Sequence, residues 1–192
     1  MKKVLFITTL SAIFLTACTS SNIDTKNTAI KQIDLSSTYL TKKQIIKKFN
    51  LPPEPDPEIN NSTIEGIDSN NNDIRDDWER LIAFEHYNNP TMMNINNLLA
   101  QNHTAINDTY ESNDISKYQE VSTANLHLIS CAVYYNGDSG RGSQKLRKIA
   151  NNTFERYKYN IIRDQAISKE IGFTIHGFSQ TQKEEICPKY AK

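Results

Sequence analysis

The sequence predicts a mostly α protein, a small irregular helical bundle with one oxygen-rich loop and one disulfide. From residue 76 onward, apolar residues recur at the three- and four-residue spacing of a helix face. Capping residues precede these runs, and proline or glycine interrupts them. Two cysteines, Cys131 and Cys187, lie about 56 residues apart and could tie distant segments together.

The first 17 residues have the features of a signal peptide. Lys2 and Lys3 form a short positive segment, and residues 4–15 form an apolar stretch. A helix needs about 20 apolar residues to span a bilayer, and this stretch is shorter. Its length suits the apolar region of a signal peptide, so we predict that residues 1–17 are removed.

The apolar stretch ends in Leu15-Thr16-Ala17-Cys18. This tetrapeptide resembles the lipobox of bacterial lipoproteins. The resemblance implies cleavage before Cys18 and the attachment of lipid, palmitate included, to this new N-terminal residue. Two acyl chains on one cysteine suffice for stable anchoring in a membrane. The alternative is a secretory signal in which a cysteine falls at this place by chance.

The two residues after Cys18 are Thr19 and Ser20, not aspartate. By resemblance to enteric lipoproteins, this favours the outer membrane over retention in the inner membrane. We therefore expect a protein of the bacterial cell envelope, lipid-anchored to the outer membrane and facing the periplasm. In a Gram-positive host, the same signal would place it on the outer face of the cytoplasmic membrane.

Two segments precede the main domain. Residues 18–39 contain the lipidated cysteine and a stretch rich in Ser, Thr, Asn and Lys, which predicts a flexible tether. Residues 40–65 open with a capping box at Thr41 and Gln44, which predicts a short helix. Four of the six prolines then lie between residues 52 and 57 and predict an extended segment, because proline lacks an N–H donor. That segment could be a linker or a strap along the domain surface.

Residues 66–192 are the predicted helical domain. A turn is expected at residues 137–142 and an extended segment at residues 173–175. Apolar stripes of this width usually face a core, and we expect this of Phe154, Tyr157 and Ile161 as well. The predicted helices begin at residue 76, at a Thr91 cap, near Ile115, at a Ser143 cap and at a Ser179 cap.

The stretch just before the first of these helices is rich in oxygen-bearing side chains. Counted from Asp68 as position 1, such side chains fall at positions 1, 3, 5, 9 and 12, and a main-chain carbonyl would serve at position 7. This spacing resembles the calcium loop of EF-hands. The predicted calcium ligands are Asp68, Asn70, Asn72, Ile74, Asp76 and Glu79.

Two departures make this loop more similar to the single calcium loops of dockerin and thrombospondin type 3 repeats. Position 6 is Asp73 where EF-hands carry glycine, and position 8 is Arg75 where they carry an aliphatic residue. The prolines upstream also leave little room for a long entering helix. The alternative is an Asx-rich turn that leads into a helix capped by Asp76 or Asp77. If this loop binds calcium, the predicted fold is a mostly α, small irregular helical bundle with one calcium-type loop and one disulfide.

Two cysteines remain after removal of the signal, Cys131 and Cys187. In an oxidising periplasm, an even pair far apart in the sequence predicts one disulfide. It would pin the C-terminal segment to the helix that begins near Ile115. Two buried free thiols are the alternative. Neither cysteine lies in a CxxC motif, which argues against a metal site.

Charge and motifs exclude several classes of function. The net charge is zero and becomes about −2 once Lys2 and Lys3 are removed, and no basic stripe suggests nucleic acid as a partner. Gly137 to Gly142 have the outer glycine spacing of a P-loop, but Ser143 follows where the motif requires lysine. The four histidines form no HExxH motif. We find no catalytic constellation and do not expect an enzyme.

The leading hypothesis is a lipid-anchored envelope protein with a non-catalytic binding or structural role. It would contact the membrane through Cys18 and an envelope protein through its helical domain, with calcium ordering the loop at residues 68–79. The second hypothesis is an inhibitor or immunity-type lipoprotein of the envelope. The third is a cell-wall hydrolase.

Overall fold

The computed structural model describes residues 39–136, 141–171 and 178–191, which form one compact unit. Within these ranges the chain forms eight α-helices and no β-strand, and the predicted mostly α class is confirmed. None of the helices in this part of the chain is both long and apolar enough to cross a bilayer. The helices are α1 (Lys42–Phe49), α2 (Pro57–Asn60), α3 (Asp76–His86), α4 (Pro90–Ser112), α5 (Ile115–Asn136), α6 (Arg141–Ala150), α7 (Phe154–Ile171) and α8 (Gln180–Ile186), followed by a 3₁₀ helix at Cys187–Tyr190.

The N-terminal part of the unit is a capped helix followed by a proline-rich strap. Thr41 and Gln44 form the predicted capping box, with the Thr41 N–H donating to Gln44 Oε1 at 2.8 Å. After α1 the chain is extended, and Pro52 is buried. Arg80 of α3 donates to the Pro52 carbonyl at 2.7 Å and to the Glu54 carboxylate at 2.7 Å. The proline-rich segment is therefore a strap on the domain surface and not a free linker.

Two predicted helix starts are wrong. The N-cap of α4 is Asn89 and not Thr91, because the Asn89 side chain accepts from the Met92 N–H at 3.1 Å and Pro90 occupies the first turn. Proline fits there, since the first N–H groups of a helix have no partner within it. Helix α6 begins at Arg141, two residues before the predicted Ser143 cap and inside the predicted turn. Residues 137–140 of that turn and the segment 173–175 lie outside the described residues.

The single long helix predicted after residue 143 is in fact two helices, α6 and α7. Asn151 closes the end of α6 by donating from Nδ2 to the Arg147 carbonyl at 2.8 Å. Thr153 opens α7 by accepting the Arg156 N–H at 3.1 Å. Such local side-chain bonds compete with helix continuation and explain the break at residues 151–153.

The helices meet in several apolar clusters. One joins α3, α4 and α6 through Trp78, Ile82, Ala100 and Leu146, together with Ile74 from the loop before α3. Helices α4 and α5 form the most extensive helix pair. The apolar contacts of α3 with α4 and α6 therefore fix the position of the loop at residues 68–79.

A disulfide closes the C-terminal end of the unit. Cys131 of α5 and Cys187 are bonded, with their Cα atoms 5.2 Å apart, and both are fully buried. They pack with Met92 and Ile95 of α4. The predicted disulfide and its role in pinning the C-terminal segment to α5 are confirmed.

Candidate functional site

The loop at residues 68–79 closes on its first residue. The two carboxylate oxygens of Asp68 accept the N–H groups of Asn72 at 3.2 Å and Asp73 at 2.8 Å. The Asn72 side chain in turn accepts the Ile74 N–H at 2.9 Å. Positions 1 and 5 of the predicted ligand set therefore organise the turn through main-chain N–H groups.

Two residues of the loop have left-handed backbones. Asn71 has φ 55° and Asp73 has φ 63°. Asp73 thus adopts the kind of conformation that glycine provides at position 6 of an EF-hand loop. Asparagine and aspartate are the side chains that tolerate this region best. The departure from glycine at this position therefore does not prevent the sharp turn.

The end of the predicted ligand set meets its beginning. Asn70 Nδ2 donates to Glu79 Oε2 at 3.0 Å, which joins positions 3 and 12. Buried Asp76 accepts the Ser69 N–H at 3.0 Å, which joins position 9 to position 2. The loop is thereby folded back onto the first turn of α3.

The loop is also fixed to the rest of the domain. The Ile74 side chain is buried against Trp78 and Ile82, so only its main chain faces the loop. From α4, Gln101 Nε2 donates to the Asn72 carbonyl at 3.0 Å, and Thr104 donates to the Asp73 carbonyl at 3.0 Å. This anchoring makes the loop part of the bundle.

The acids at the start of α3 do not cap the helix. Its N-cap is Arg75, with no side-chain cap bond, and Asp76 and Asp77 are its first two residues. The Arg75 guanidinium pairs with the Asp77 carboxylate at 2.5 and 3.1 Å. Asp77 is therefore engaged by an arginine, and the capping part of the alternative is wrong. Its Asx-type turn is present, since the Asn72 side chain accepts the Ile74 N–H.

The donor set of the loop has the chemistry that calcium requires. It combines three carboxylates, two side-chain amides and one main-chain carbonyl, all of them oxygen ligands. In the described part of the chain, no three His, Cys, Asp or Glu side chains are grouped to hold a metal ion. Asp68, Asp76 and Glu79 of the predicted set therefore do not form such a group in this structure. The other predicted ligands are Asn70, Asn72 and the Ile74 carbonyl.

A buried arginine holds the chain just before the loop, and sequence reasoning missed it. Arg156 of α7 is 1% exposed. Burial lowers its pKa to about 10, with a further lowering by nearby Arg75, so it is charged at neutral pH. Its hydrogen-bond acceptors, which we call the Arg156 cradle, are the main-chain carbonyls of Asn60, Thr63 and Ile64 and the side-chain oxygens of Asn61 and Asn152.

Gly66 lies against the Arg156 cradle and requires the absence of a side chain. Its φ is +74°, in the left-handed region. A Cβ atom there would lie 2.7 Å from Asn60 Oδ1 and 2.8 Å from Arg156 Nη2. The cradle therefore determines the path by which the chain enters the loop.

Trp78 and His103 lie between two cavities. Their rings pack edge to face with centroids 4.9 Å apart. A cavity of about 170 Å³ lies on the side of the loop, and one of about 420 Å³ lies on the other side. Burial, together with the positive charge of Arg163, lowers the pKa of His103 to about 3. His103 is therefore neutral at physiological pH.

The prediction that the apolar stripe of α7 faces the core is wrong for three of its residues. Phe154 is 73% exposed, Tyr157 is 53% exposed and Ile161 is 38% exposed. The buried face of α7 instead carries Arg156, Asn160 and Arg163, followed by Ile167 near the end of the helix. Helical periodicity identified the apolar stripe but did not indicate that a mostly polar face of the helix packs inward.

The lipidation site Cys18 lies outside the described residues, so the anchor stays a prediction. No protein-family model, curated protein or solved structure matches this chain.

Proposed function

We propose that this chain is a lipid-anchored protein of the bacterial cell envelope, with a non-catalytic role in binding another macromolecule. Calcium bound by residues 68–79 would order the loop that leads into α3. The lipobox-like sequence at Leu15 to Cys18 supports the anchor. The closed form of the loop supports calcium.

The single observation that carries the calcium proposal is the way in which the loop joins its two ends. The Asp68 carboxylate accepts hydrogen bonds from the Asn72 and Asp73 N–H groups, and Asn70 Nδ2 donates to the Glu79 carboxylate. An ion at this place would neutralise carboxylates from both ends of the loop. The bound metal would supply charge neutralisation and a cross-link between the loop and α3, and the domain would supply the binding surface. The residues that would hold it are Asp68, Asn70, Asn72, Asp76 and Glu79, with the Ile74 carbonyl.

Calcium is expected to raise the thermal stability of the protein modestly. With Asp73 in place of glycine and no paired loop, we expect a dissociation constant of about 10⁻⁴ to 10⁻³ M, as in extracellular modules. Millimolar calcium then adds about 1 kcal/mol to the free energy of unfolding, a shift of a few degrees in melting temperature. Thermal unfolding with and without calcium measures this shift.

Matched variants test whether the loop is the source of the shift. Asp68→Ala and Glu79→Gln should each remove most of it, because they take away the first ligand and the bidentate last ligand. Glu120→Gln, a change at an exposed acid of α5, should retain it. Calorimetry that detects no calcium binding to the folded protein at several millimolar would refute the proposed site.

The anchor is tested separately by Cys18→Ser. If Cys18 carries the lipid, this variant should leave an uncleaved or soluble precursor and no longer fractionate with membranes, whereas Thr19→Ala should fractionate as before. Membrane fractionation of the Cys18→Ser protein, with its N-terminus processed normally, would exclude lipidation at this residue.

A further inference from the structure

The larger of the two cavities beside Trp78 and His103 has the size and wall of a binding site. Its volume is about 420 Å³, within the range of specific ligand pockets, roughly 300–1,000 Å³. It opens among α3, α4, α5, α6 and α7. Apolar side chains of α4, α6 and α7 line it, namely Leu99, Ala100, Ile106, Leu146, Ala150 and Ile161.

The mouth of this cavity continues into an exposed apolar surface. Tyr157 and Ile161 of α7 and Ile129 of α5 line the cavity and are exposed. Phe154 lies one helical turn before Tyr157 on the same face and is the most exposed of the four. Exposed apolar side chains beside an apolar cavity are typical of an interaction site. A small molecule in the cavity would leave Phe154 uncovered, whereas a polypeptide could cover the cavity and the rim together.

One buried donor beside the cavity lacks a partner. Trp78 lines the cavity and is more than nine-tenths buried. Within the described residues, its indole N–H has no hydrogen-bond partner. A peptide carbonyl is an acceptor that could satisfy this donor. The indole nitrogen is covered by its neighbours, so the wall must relax slightly for a peptide to reach it.

The charged side chains that line the cavity give it a small positive charge. They are Arg147, Arg163 and Asp164. Arg163 and Asp164 form an ion pair at 2.8 Å, so the net charge of +1 is that of exposed Arg147. His103 adds no charge, because burial keeps it neutral. A carboxylate beside the apolar group of a ligand would therefore be attracted to the mouth.

We propose that this cavity binds an apolar side chain of a partner protein, of about the size of phenylalanine, from a segment with an acidic residue next to it. The inference rests on the proposed binding function and names the surface and the chemistry of the partner. It is independent of the calcium loop and of the lipid anchor, so it can fail while both of those proposals stand.

The probe is the peptide acetyl-Asp-Phe-amide, titrated into the intact protein. Trp78 is the only tryptophan of the chain, so its fluorescence reports on the two cavities that it lines, and the variants below distinguish them. A fragment of this size should bind with a dissociation constant of roughly 1 mM, and the fluorescence change should saturate. Acetyl-Lys-Phe-amide should bind roughly two- to fivefold more weakly, because its charge is repelled at the mouth. Acetyl-Asp-Gly-amide, which has no apolar side chain, should cause no saturable change.

Two neighbouring residues of α7 provide a matched pair of variants. Ile161→Ser should weaken binding severalfold, because Ile161 lines the cavity. Ile162→Ser should leave binding unchanged, because Ile162 is similarly exposed but is not among the lining residues. Ala150→Leu should abolish binding by filling the cavity, provided that the variant retains its helical circular dichroism.

Three outcomes would overturn the proposal. The first is the absence of any saturable change with acetyl-Asp-Phe-amide at tens of millimolar. The second is equal weakening by Ile161→Ser and Ile162→Ser. The third is binding of benzyl alcohol as tight as that of the peptide, which would make this a small-molecule site. If the peptide fails while the calcium response and membrane fractionation are intact, the cavity assignment is wrong and the proposed function survives.

Discussion

The two ends of the described domain are tied to the helical bundle by different chemistry. At the C-terminal end, the Cys131–Cys187 disulfide is a covalent link that spans 56 residues of sequence. At the N-terminal end, the segment just before the loop at residues 68–79 is held by buried Arg156, whose acceptors are uncharged oxygens. The disulfide acts mainly by restricting the unfolded chain. The Arg156 cradle acts only in the folded state, through hydrogen bonds that must all be made at once.

The disulfide and the Arg156 cradle therefore respond differently when their surroundings change. A disulfide keeps most of its effect when its surroundings relax, because the loop in the unfolded chain is still closed. A buried guanidinium without an acidic partner depends on the placement of each acceptor, since an unmet hydrogen bond in the interior is costly. The segment at residues 60–64, which the Arg156 cradle holds, is therefore more easily disturbed than the disulfide-linked C-terminal end.

The largest expected effect is loss of the disulfide. The double change Cys131→Ala and Cys187→Ala should lower the free energy of unfolding by about 4 kcal/mol, the chain-entropy value for a loop of this length. Thermal or denaturant unfolding measures it. Reductant should destabilise the unmodified protein by a similar amount and leave the double variant unaffected. If reductant does not change the unfolding of the unmodified protein, the disulfide does not stabilise the fold.

The next effect is loss of the Arg156 cradle. Arg156→Lys keeps the charge but replaces a planar fork of five donors with three donors on one nitrogen. With two or more buried carbonyls left unpaired, we expect a loss of about 3 kcal/mol, measured by denaturant unfolding. The loss should also speed hydrogen exchange at residues 60–66 more than around Cys187.

Two further variants sharpen this test. Arg147→Lys, on the exposed face of α6, should change stability little. Gly66→Ala should destabilise the same segment as Arg156→Lys, because its Cβ would meet the cradle. Equal effects of Arg147→Lys and Arg156→Lys would show that the cradle is not a specific tie.

The smallest expected effect is a loss of stability in mild acid, which comes from His103 and not from the disulfide or the Arg156 cradle. Neither a disulfide nor an arginine titrates in mild acid, so both ties should persist at pH 5.5. His103 has a pKa lowered to about 3 in the fold against 6.5 when unfolded. Below pH 6.5 the unfolded chain therefore binds a proton that the folded chain does not, and the free energy of unfolding decreases as the pH is lowered. The loss from His103 should be about 1.4 kcal/mol at pH 5.5 and should grow at lower pH.

Unfolding measured between pH 7.5 and 5.0 checks this assignment. His103→Gln should reduce the dependence on pH, whereas His127→Asn, a change at the histidine that packs beside Phe178, should leave it as it was. An unchanged slope in His103→Gln would contradict the assignment.

Several features of the domain could be predicted because their signals are local. The Thr41 capping box spans four residues, and the spacing of oxygen ligands from Asp68 to Glu79 lies within a single loop. The helix cap at Asn89 and the helix break at residues 151–153 were not predicted, although their signals are also local. In both cases an asparagine side chain competes with the helix backbone, and apolar periodicity does not register that competition.

The helical class, the cysteine pair and the polar loop could be read from the sequence alone, because helical periodicity, residue composition and the spacing of oxygen-bearing side chains depend on residues close together in the chain. The buried face of α7 could be identified only in the folded structure. Arg156 finds four of its five acceptors more than 90 residues away, at residues 60–64, and Asn160 and Arg163 turn inward beside it. That choice left Phe154 exposed and placed exposed Tyr157 in the wall of a cavity. Burial of a polar face depends on partners that are distant in sequence, and no local pattern contains them.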